Sequence, residues 1–403
     1  MPDNPDQFSA ADSALGYLYQ VRCALLWSLQ RLKEEVAFEA SIETLDDVTF
    51  ERSGTPTELL QTKLHKNRGA DLSDYSPDLW KTIRIWIAEL DAGAITKYTN
   101  LYLVTTENAV PETVAGNLRK EDRNIDDAIN RLNAVAQTST NQTNAAAYKA
   151  YLGKTGEERR SLVEKIVVID GAPSIADLDG LLKNEVFFAS PRIHQDAFLS
   201  YLEGWWFRRA VSQLQNIETG DRILSEELEA QMTDLRDQFK QDSLPISDDL
   251  LNYELDDATA EAHQDFPFVQ QIKLATSHSK RIAAAVRDFY RAFEQRSRWQ
   301  RQDLLFIGDL TVYEKGLAEE WELLFAAVED RIGTGATEDT KKAAAQEVLS
   351  WAEIGNVSTR IKANVSEPFV TRGSLHILAN QLRIGWHPEF RDRLKHILEG
   401  GGQ

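Results

Sequence analysis

Residues 36–64 commit the start of this chain to a fold that opens on a β-hairpin. Three strand-forming runs, Val36 to Ile42, Asp47 to Glu51 and Glu58 to Leu64, follow one another closely. The second alternates Val48 and Phe50 with polar residues, the period of a half-buried strand. Gly54-Thr55-Pro56 separates it from the third run, which ends at the polar Lys66-Asn67-Arg68-Gly69. Ahead of the hairpin, residues 9–35 predict a long amphipathic helix, with Leu15, Leu18, Tyr19, Leu25, Leu26 and Leu29 at three- and four-residue spacing.

Beyond the hairpin, residues 77–92 predict a helix with Pro77 near its start and Trp80, Ile83, Ile87 and Leu90 facing inward. Short apolar runs at Leu101 to Thr105 and Lys165 to Ile169 read as buried strands, and the polar Gln137 to Asn144 as a loop. Helix, hairpin, strand, helix, strand is an α/β pattern with a mixed central sheet. From about residue 194 the strand signals fade and helices are expected at 197–214, 226–239, 267–302, 311–332, 338–353 and 373–382. Leu244 to Asp248 breaks the helical pattern. The expected organisation is an α/β domain over 1–195, a helical connector over 196–244 and a mainly α-helical domain over 245–403.

The chain has 403 residues, 42% of them apolar, with nine Trp and sixteen Phe, enough for two or three domains with a large core. The one cysteine, Cys23, excludes a disulfide framework and suits a reducing cytoplasm, the expected location. No run approaches a membrane span. The net charge of -19 argues against a general nucleic-acid binder, because phosphate contacts need clustered Lys and Arg.

Against that balance, one constellation carries chemistry. The hairpin brings Asp47, Gln61 and Lys63 to one side of a sheet. Lys63 lies two residues beyond Gln61, so both side chains leave the same face. Phosphodiester hydrolysis uses a divalent ion to activate water and offset developing charge. Mg²⁺ (or Mn²⁺) keeps several waters, so one or two carboxylates suffice. Asp47 can supply a carboxylate, Gln61 a carbonyl oxygen, and Lys63 a positive charge for the transition state. Glu43 or Glu39 can complete the acidic cluster, and Tyr17 or Gln20 can face the cleft. Lys66, Arg68, Arg119 and Lys120 are the basic candidates for DNA. Singly, a Gln and a Lys two apart mark a solvated sheet face, and an Asp pair marks a turn; the spacing of all of them together is the signal.

Gly16-Tyr17-x-Tyr19-Gln20, Asp46-Asp47-Val48 and Leu60-Gln61-Thr62-Lys63 resemble the PD-(D/E)xK nuclease superfamily over roughly residues 9–170. The closest likeness is to its Gln-x-Lys branch, the Mrr-type restriction endonucleases and the double-stranded DNA endonucleases associated with CD-NTase antiviral systems. The resemblance implies a restriction-endonuclease-like fold and Mg²⁺-dependent cleavage of double-stranded DNA. It places the family's metal-binding Asp on Asp47, in preference to Asp46, its variable acid on Gln61 and its Lys on Lys63.

In the second half, the helix expected over 267–302 carries, around Val286 to Arg301, an apolar face (Ile282, Val286, Phe289, Phe293) and a dense Arg face, either for phosphates or, the favoured reading, for pairing with the chain's own carboxylates. His376 and His387 read as core or capping histidines rather than metal ligands. Arg372-Gly373-Ser374-x-His376 and Gly385-Trp386-His387-Pro388 are similar to motifs of the C-terminal domain of prokaryotic ABC-three-component effectors, of which Lamassu-type antiphage defence is the best-known example. The resemblance covers about 200–398. It implies docking on an SMC-like ABC ATPase and a small middle component, with Arg291, Arg298, Arg372, His376, Trp386 and His387 as docking candidates, and self-association on activation. The ATPase would hold DNA, which answers the charge objection. No Walker A loop occurs in this chain. The rival reading is a non-catalytic adaptor or DNA-end-binding subunit of the same complex.

Overall fold

The hairpin forms where the alternation places it, with a tighter turn. Strand β2 (Val48–Arg52) pairs antiparallel with β3 (Thr55–Lys63), with a register shift at Phe50/Glu51. Arg52 faces Thr55, so the loop is Ser53-Gly54 alone, both at positive φ (52° and 70°). This is the two-residue geometry that matches strand twist. Thr55 and Pro56 begin β3 instead of forming the turn.

In this computed structural model, residues 6–64, 70–354 and 357–394 are described. They divide into two units, 1–189 with 198–234, and 190–197 with 235–403. The first holds a six-stranded sheet in the order β5-β4-β3-β2-β1-β6. Its other strands are β1 (Glu39–Ile42), β4 (Asn100–Thr105), β5 (Ile166–Ile169) and β6 (Ile223–Leu224). Strands β3, β4 and β5 run parallel and the remaining pairs antiparallel, so the sheet is mixed, as the pattern predicts.

Helix α1 (Asp6–Arg31) precedes the sheet and α2 (Pro77–Asp91) links β3 to β4. Helices α3 (Ile125–Thr138), α4 (Ala145–Leu152) and α5 (Gly156–Lys165) lie between β4 and β5. Leu59, Leu101 and Leu103 bury one sheet face under Trp80, Ile83, Trp86 and Ile87 of α2 and Leu132, Tyr151 and Leu162 of α3–α5. The alternation carries Gln61 and Lys63 to that same face, at the carboxyl end of β3.

The segment expected as a connector does not stand apart. Residues 198–234 belong to the first unit. Helix α6 (Gln195–Gln215) sets Trp206 against α1, where its Nε1 donates to Val21 O at 2.9 Å. Strand β6 then adds to β1 through Glu39↔Leu224 and Ala40↔Ile223. Two residues are too few to show a periodicity, so this strand has no sequence signal.

The second unit is helical: α7 (Ser225–Gln238) precedes it, and α8 (Pro267–Ala275), α9 (Ser279–Arg301), α10 (Ile307–Ile332), α11 (Glu338–Ile354) and α12 (Pro368–Asn380) build it. The single helix expected over 267–302 is two helices, because Thr276 turns extended (φ -150°) and His278 restarts the chain ahead of α9. The 244–248 break is held by α9: Trp299 Nε1 donates to Pro245 O at 2.6 Å, and Ser247 N to Gln295 Oε1 at 2.9 Å. Among the described residues, no helix is long and apolar enough to cross a membrane.

Candidate functional site

The turn from β1 to β2 is built to present acids. Glu43 takes a left-handed backbone (φ 55°), unfavourable for a residue with a Cβ, and its N–H donates to Asp47 O at 3.2 Å, which closes the turn. Helix α6 fixes the turn from outside: buried Gln213 accepts from Ile42 N at 3.2 Å.

Asp46 and Asp47 then diverge. Asp46 Oδ2 accepts from Trp86 Nε1 at 2.6 Å, and Oδ1 from Asp47 N at 3.0 Å. Burial pushes the Asp46 carboxyl up to about 7; the charge of Asp47 adds to this, while the Trp86 bond and Lys63 oppose it. Asp47, 8% exposed, accepts through Oδ2 from Thr62 N (2.6 Å) and Thr62 Oγ1 (2.8 Å), and through Oδ1 from Gln61 Nε2. A carboxylate offers about four lone-pair positions, so three donors leave it one. Gln61 is 4% exposed, and its Oε1 is buried without a hydrogen-bond partner.

These groups share a cleft of about 400 Å³ lined by Gln20, Glu43, Asp46, Asp47, Gln61, Lys63, Lys81 and Ile85 among others. Glu43 sits at its mouth. Partial desolvation and then the charge of Asp47 raise its pKa, against Gln20, Lys63 and Lys81. Tyr17, from α1, has its pKa raised by burial and then by Glu43. Asp47, Gln61, Lys63, Glu43, Asp46 and Gln20 are therefore brought together, with Tyr17 beside Glu43. Glu39 is within β1, paired with Glu51 across the hairpin. Arg119 is held by Asp170, with Nε to Oδ1 at 3.0 Å. Lys66 and Arg68 lie outside the described residues.

Three contributors escaped the sequence reading. Thr62, on the opposite face of β3, holds Asp47 through its backbone and hydroxyl. Trp86 holds Asp46. Lys81 adds a second ammonium group one helical turn before Ile85, a spacing visible in α2 once its facing partner is known.

The resemblance implies a divalent metal. Among the described residues no cluster of three His, Cys, Asp or Glu is arranged to hold one. The donors that are present are oxygens: the Asp47 and Glu43 carboxylates and the unpartnered amide oxygen of Gln61. That set fits a hard cation that keeps most of its water.

In the second unit the Arg face of α9 is mostly paired internally. Arg298 meets Asp249 with both terminal nitrogens at 2.7 Å, Arg372 Nε reaches Asp288 at 2.6 Å, and Arg291 donates to Leu250 O at 2.6 Å with its guanidinium 4.1 Å from the Phe369 ring. His376, Trp386 and His387, expected to dock a partner, are buried inside the unit; Trp386 and His387 offer no side-chain surface, and His376, 2% exposed, reaches only the wall of a cleft beside Arg372. His387 Nδ1 accepts from Glu389 N at 3.0 Å, a capping role. Gly385 lets the Phe390 ring pack on the chain; a Cβ there would meet that ring at 2.2 Å. Trp321 Nε1 donates to Gly385 O at 2.8 Å.

Residues 268–394 match the family model of C-terminal domain 7 of the ABC-three component systems. The match takes in α8 to α12 and the Gly385-Trp386-His387-Pro388 turn. It makes the chain a component of an ABC-three component system, with the other components of that system as its partners. The α/β unit lies outside the match, and no curated protein matches the chain.

Proposed function

We propose that the α/β unit is a Mg²⁺- or Mn²⁺-dependent endonuclease for double-stranded DNA, attached through its C-terminal domain to an ABC-three component defence complex of the Lamassu kind. The observation that carries this reading is the convergence of Asp47, Gln61 and Lys63, with Glu43, in one cleft at the carboxyl end of β3, where open α/β sheets bind their ligands. Asp47 and Glu43 supply carboxylates and Gln61 an amide oxygen. Lys63 is placed to offset charge on a phosphate oxygen or orient the attacking water. Lys81 adds a second positive charge on the α2 wall. A divalent ion held there would lower the pKa of water and neutralise developing charge.

Three carboxyl groups against two ammonium groups leave the cleft short of positive charge, in a chain of net charge -19. A DNA duplex is repelled by such a surface unless another chain presents it. This favours an SMC-like ATPase and a middle component as DNA holders, with the nuclease idle until released to self-associate. One observation favours the adaptor reading: Asp47 already has three internal donors, as a structural carboxylate would.

The test is plasmid cleavage by the purified protein with Mg²⁺ or Mn²⁺, with EDTA controls, beside Asp47→Ala and Lys63→Ala. Cleavage lost in both variants and in EDTA supports the nuclease. Cleavage retained in the variants removes this site. Silence of the wild type, alone and with the other system components, leaves the adaptor. Light scattering that finds only monomers while cutting proceeds removes the self-association step.

A further inference from the structure

Helices α9 and α12 cross so closely that a Cβ on Gly373 would stand 2.0 Å from Asp288 O. The crossing crowds positive charge. Asp288, 4% exposed, accepts from Arg372 Nε at 2.6 Å. Arg287 Nε and Arg291 Nη1 stand 3.8 and 3.9 Å from its other oxygen, beyond hydrogen-bond range. Three guanidinium groups thus share one buried carboxylate. Burial, followed by repulsion from Arg287 and Arg372, lowers the Arg291 pKa.

An open cleft of about 300 Å³ adjoins this cluster, lined by Lys280, Arg281, Arg287, Asp288, Arg372 and His376, with Glu353 at its edge. Glu353 holds Arg281 at 2.6 Å. Arg287 Nε is buried without an acceptor, as is His376 Nδ1. Lys280 makes no hydrogen bond or ion pair among the described residues. Four cations face two carboxylates, a surplus of two positive charges in a chain with 64 acidic and 45 basic residues. Such a surplus concentrates anions of opposite charge.

We propose that this cleft binds a compact phosphate-type dianion, either inorganic phosphate or the phosphoryl end of a small phosphorylated molecule. Arginine forks match the oxygens of such a group, and lysine adds a point charge. His376 stays neutral, since burial and Arg372 lower its pKa to about 3, so its ring adds a hydrogen bond and no charge. The volume is at the lower end for small-molecule sites. Apart from the imidazole the lining holds no aromatic ring, so nothing there stacks a base and the phosphoryl group itself is recognised. The proposal does not use the nuclease reading.

The experiment is calorimetric titration of the full-length protein with inorganic phosphate, and separately with adenosine monophosphate, in chloride buffer at fixed ionic strength. One saturable site per chain is expected, weakened about tenfold or more by Arg287→Ala, partly restored by Arg287→Lys, and unchanged by Lys63→Ala. Tighter binding of the monophosphate assigns the site to a phosphorylated molecule, and tighter binding of phosphate to the free ion. Ligand-free Arg287→Ala should melt no lower than wild type, because it removes a repulsive neighbour. Absence of saturable binding to either ligand overturns the proposal, as does binding that survives Arg287→Ala or is lost in Lys63→Ala.

Discussion

Asp46 and Asp47 share a turn, yet one turns to an indole in the core and the other to a strand end. The Asp46 pKa, near 7, lies above its ordinary value of 3.8. Between those values the unfolded chain gives up a proton that the folded chain keeps, so stability falls as pH rises from about 4 to about 7. Asp46→Asn should remove that slope; urea midpoints at pH 5 and pH 8 that differ equally in variant and wild type would refute the assignment. Thr62→Val removes one of the three donors to Asp47. With a charged, buried acceptor the expected loss is about 1.5–3 kcal/mol by urea denaturation, with cleavage reduced further than stability alone explains. Asp47, Gln61 and Lys63 were legible in the sequence because strand period fixes which residues share a face. The divergence of the two aspartates was not, because it depends on the left-handed Glu43 and on Trp86 forty residues away. Lys81 was hidden for a similar reason, since helical spacing says which residues share a face but not what that face meets.

Helices and strands with a long period were readable; elements defined by a distant partner were not. Val48 and Phe50 announced β2, and the apolar runs at 101–105 and 165–169 announced buried strands, whose parallel pairing only the structure shows. The break between α8 and α9 hides in Thr276-Ser277-His278, which carries neither Gly nor Pro. The close crossing of α9 and α12 shows in sequence only as Gly373. Gly373→Ala drives a methyl group into Asp288 O and the Ala292 side chain, where a Cβ would come within 2.0 and 2.4 Å. Overpacking of that kind costs about 3 kcal/mol or more when backbone cannot yield. The variant should unfold at lower urea by far-UV circular dichroism, and an unchanged midpoint would mean that the helices separate freely.

For the whole molecule, the boundary matters most. A reading by composition places it near 195, but residues 198–234 complete the α/β unit with α6, β6 and the start of α7. A fragment of residues 1–195 loses Trp206 from α1, Gln213 from the β1–β2 turn and the strand that covers β1. It should be aggregation-prone and lack a cooperative transition, whereas 1–234 should melt cooperatively. Equal melting of the two fragments would show that the later segment is dispensable. The excess of carboxylates also predicts that any cleavage by the chain alone weakens only shallowly as salt is raised, because few phosphate contacts are available to lose; a steep fall between about 50 and 200 mM salt would point to a basic DNA-binding surface elsewhere.

Strand β6 also sets an order of events during synthesis. Its neighbour β1 leaves the ribosome early, yet the pairing Glu39↔Leu224 cannot form until residues past 224 have emerged. At typical elongation rates that interval is roughly 10–40 s. Throughout it, the turn that carries Glu43 and Asp47 lacks the Gln213 side chain that fixes it. A nascent chain is therefore denied a finished cleft until translation has all but reached the helical domain.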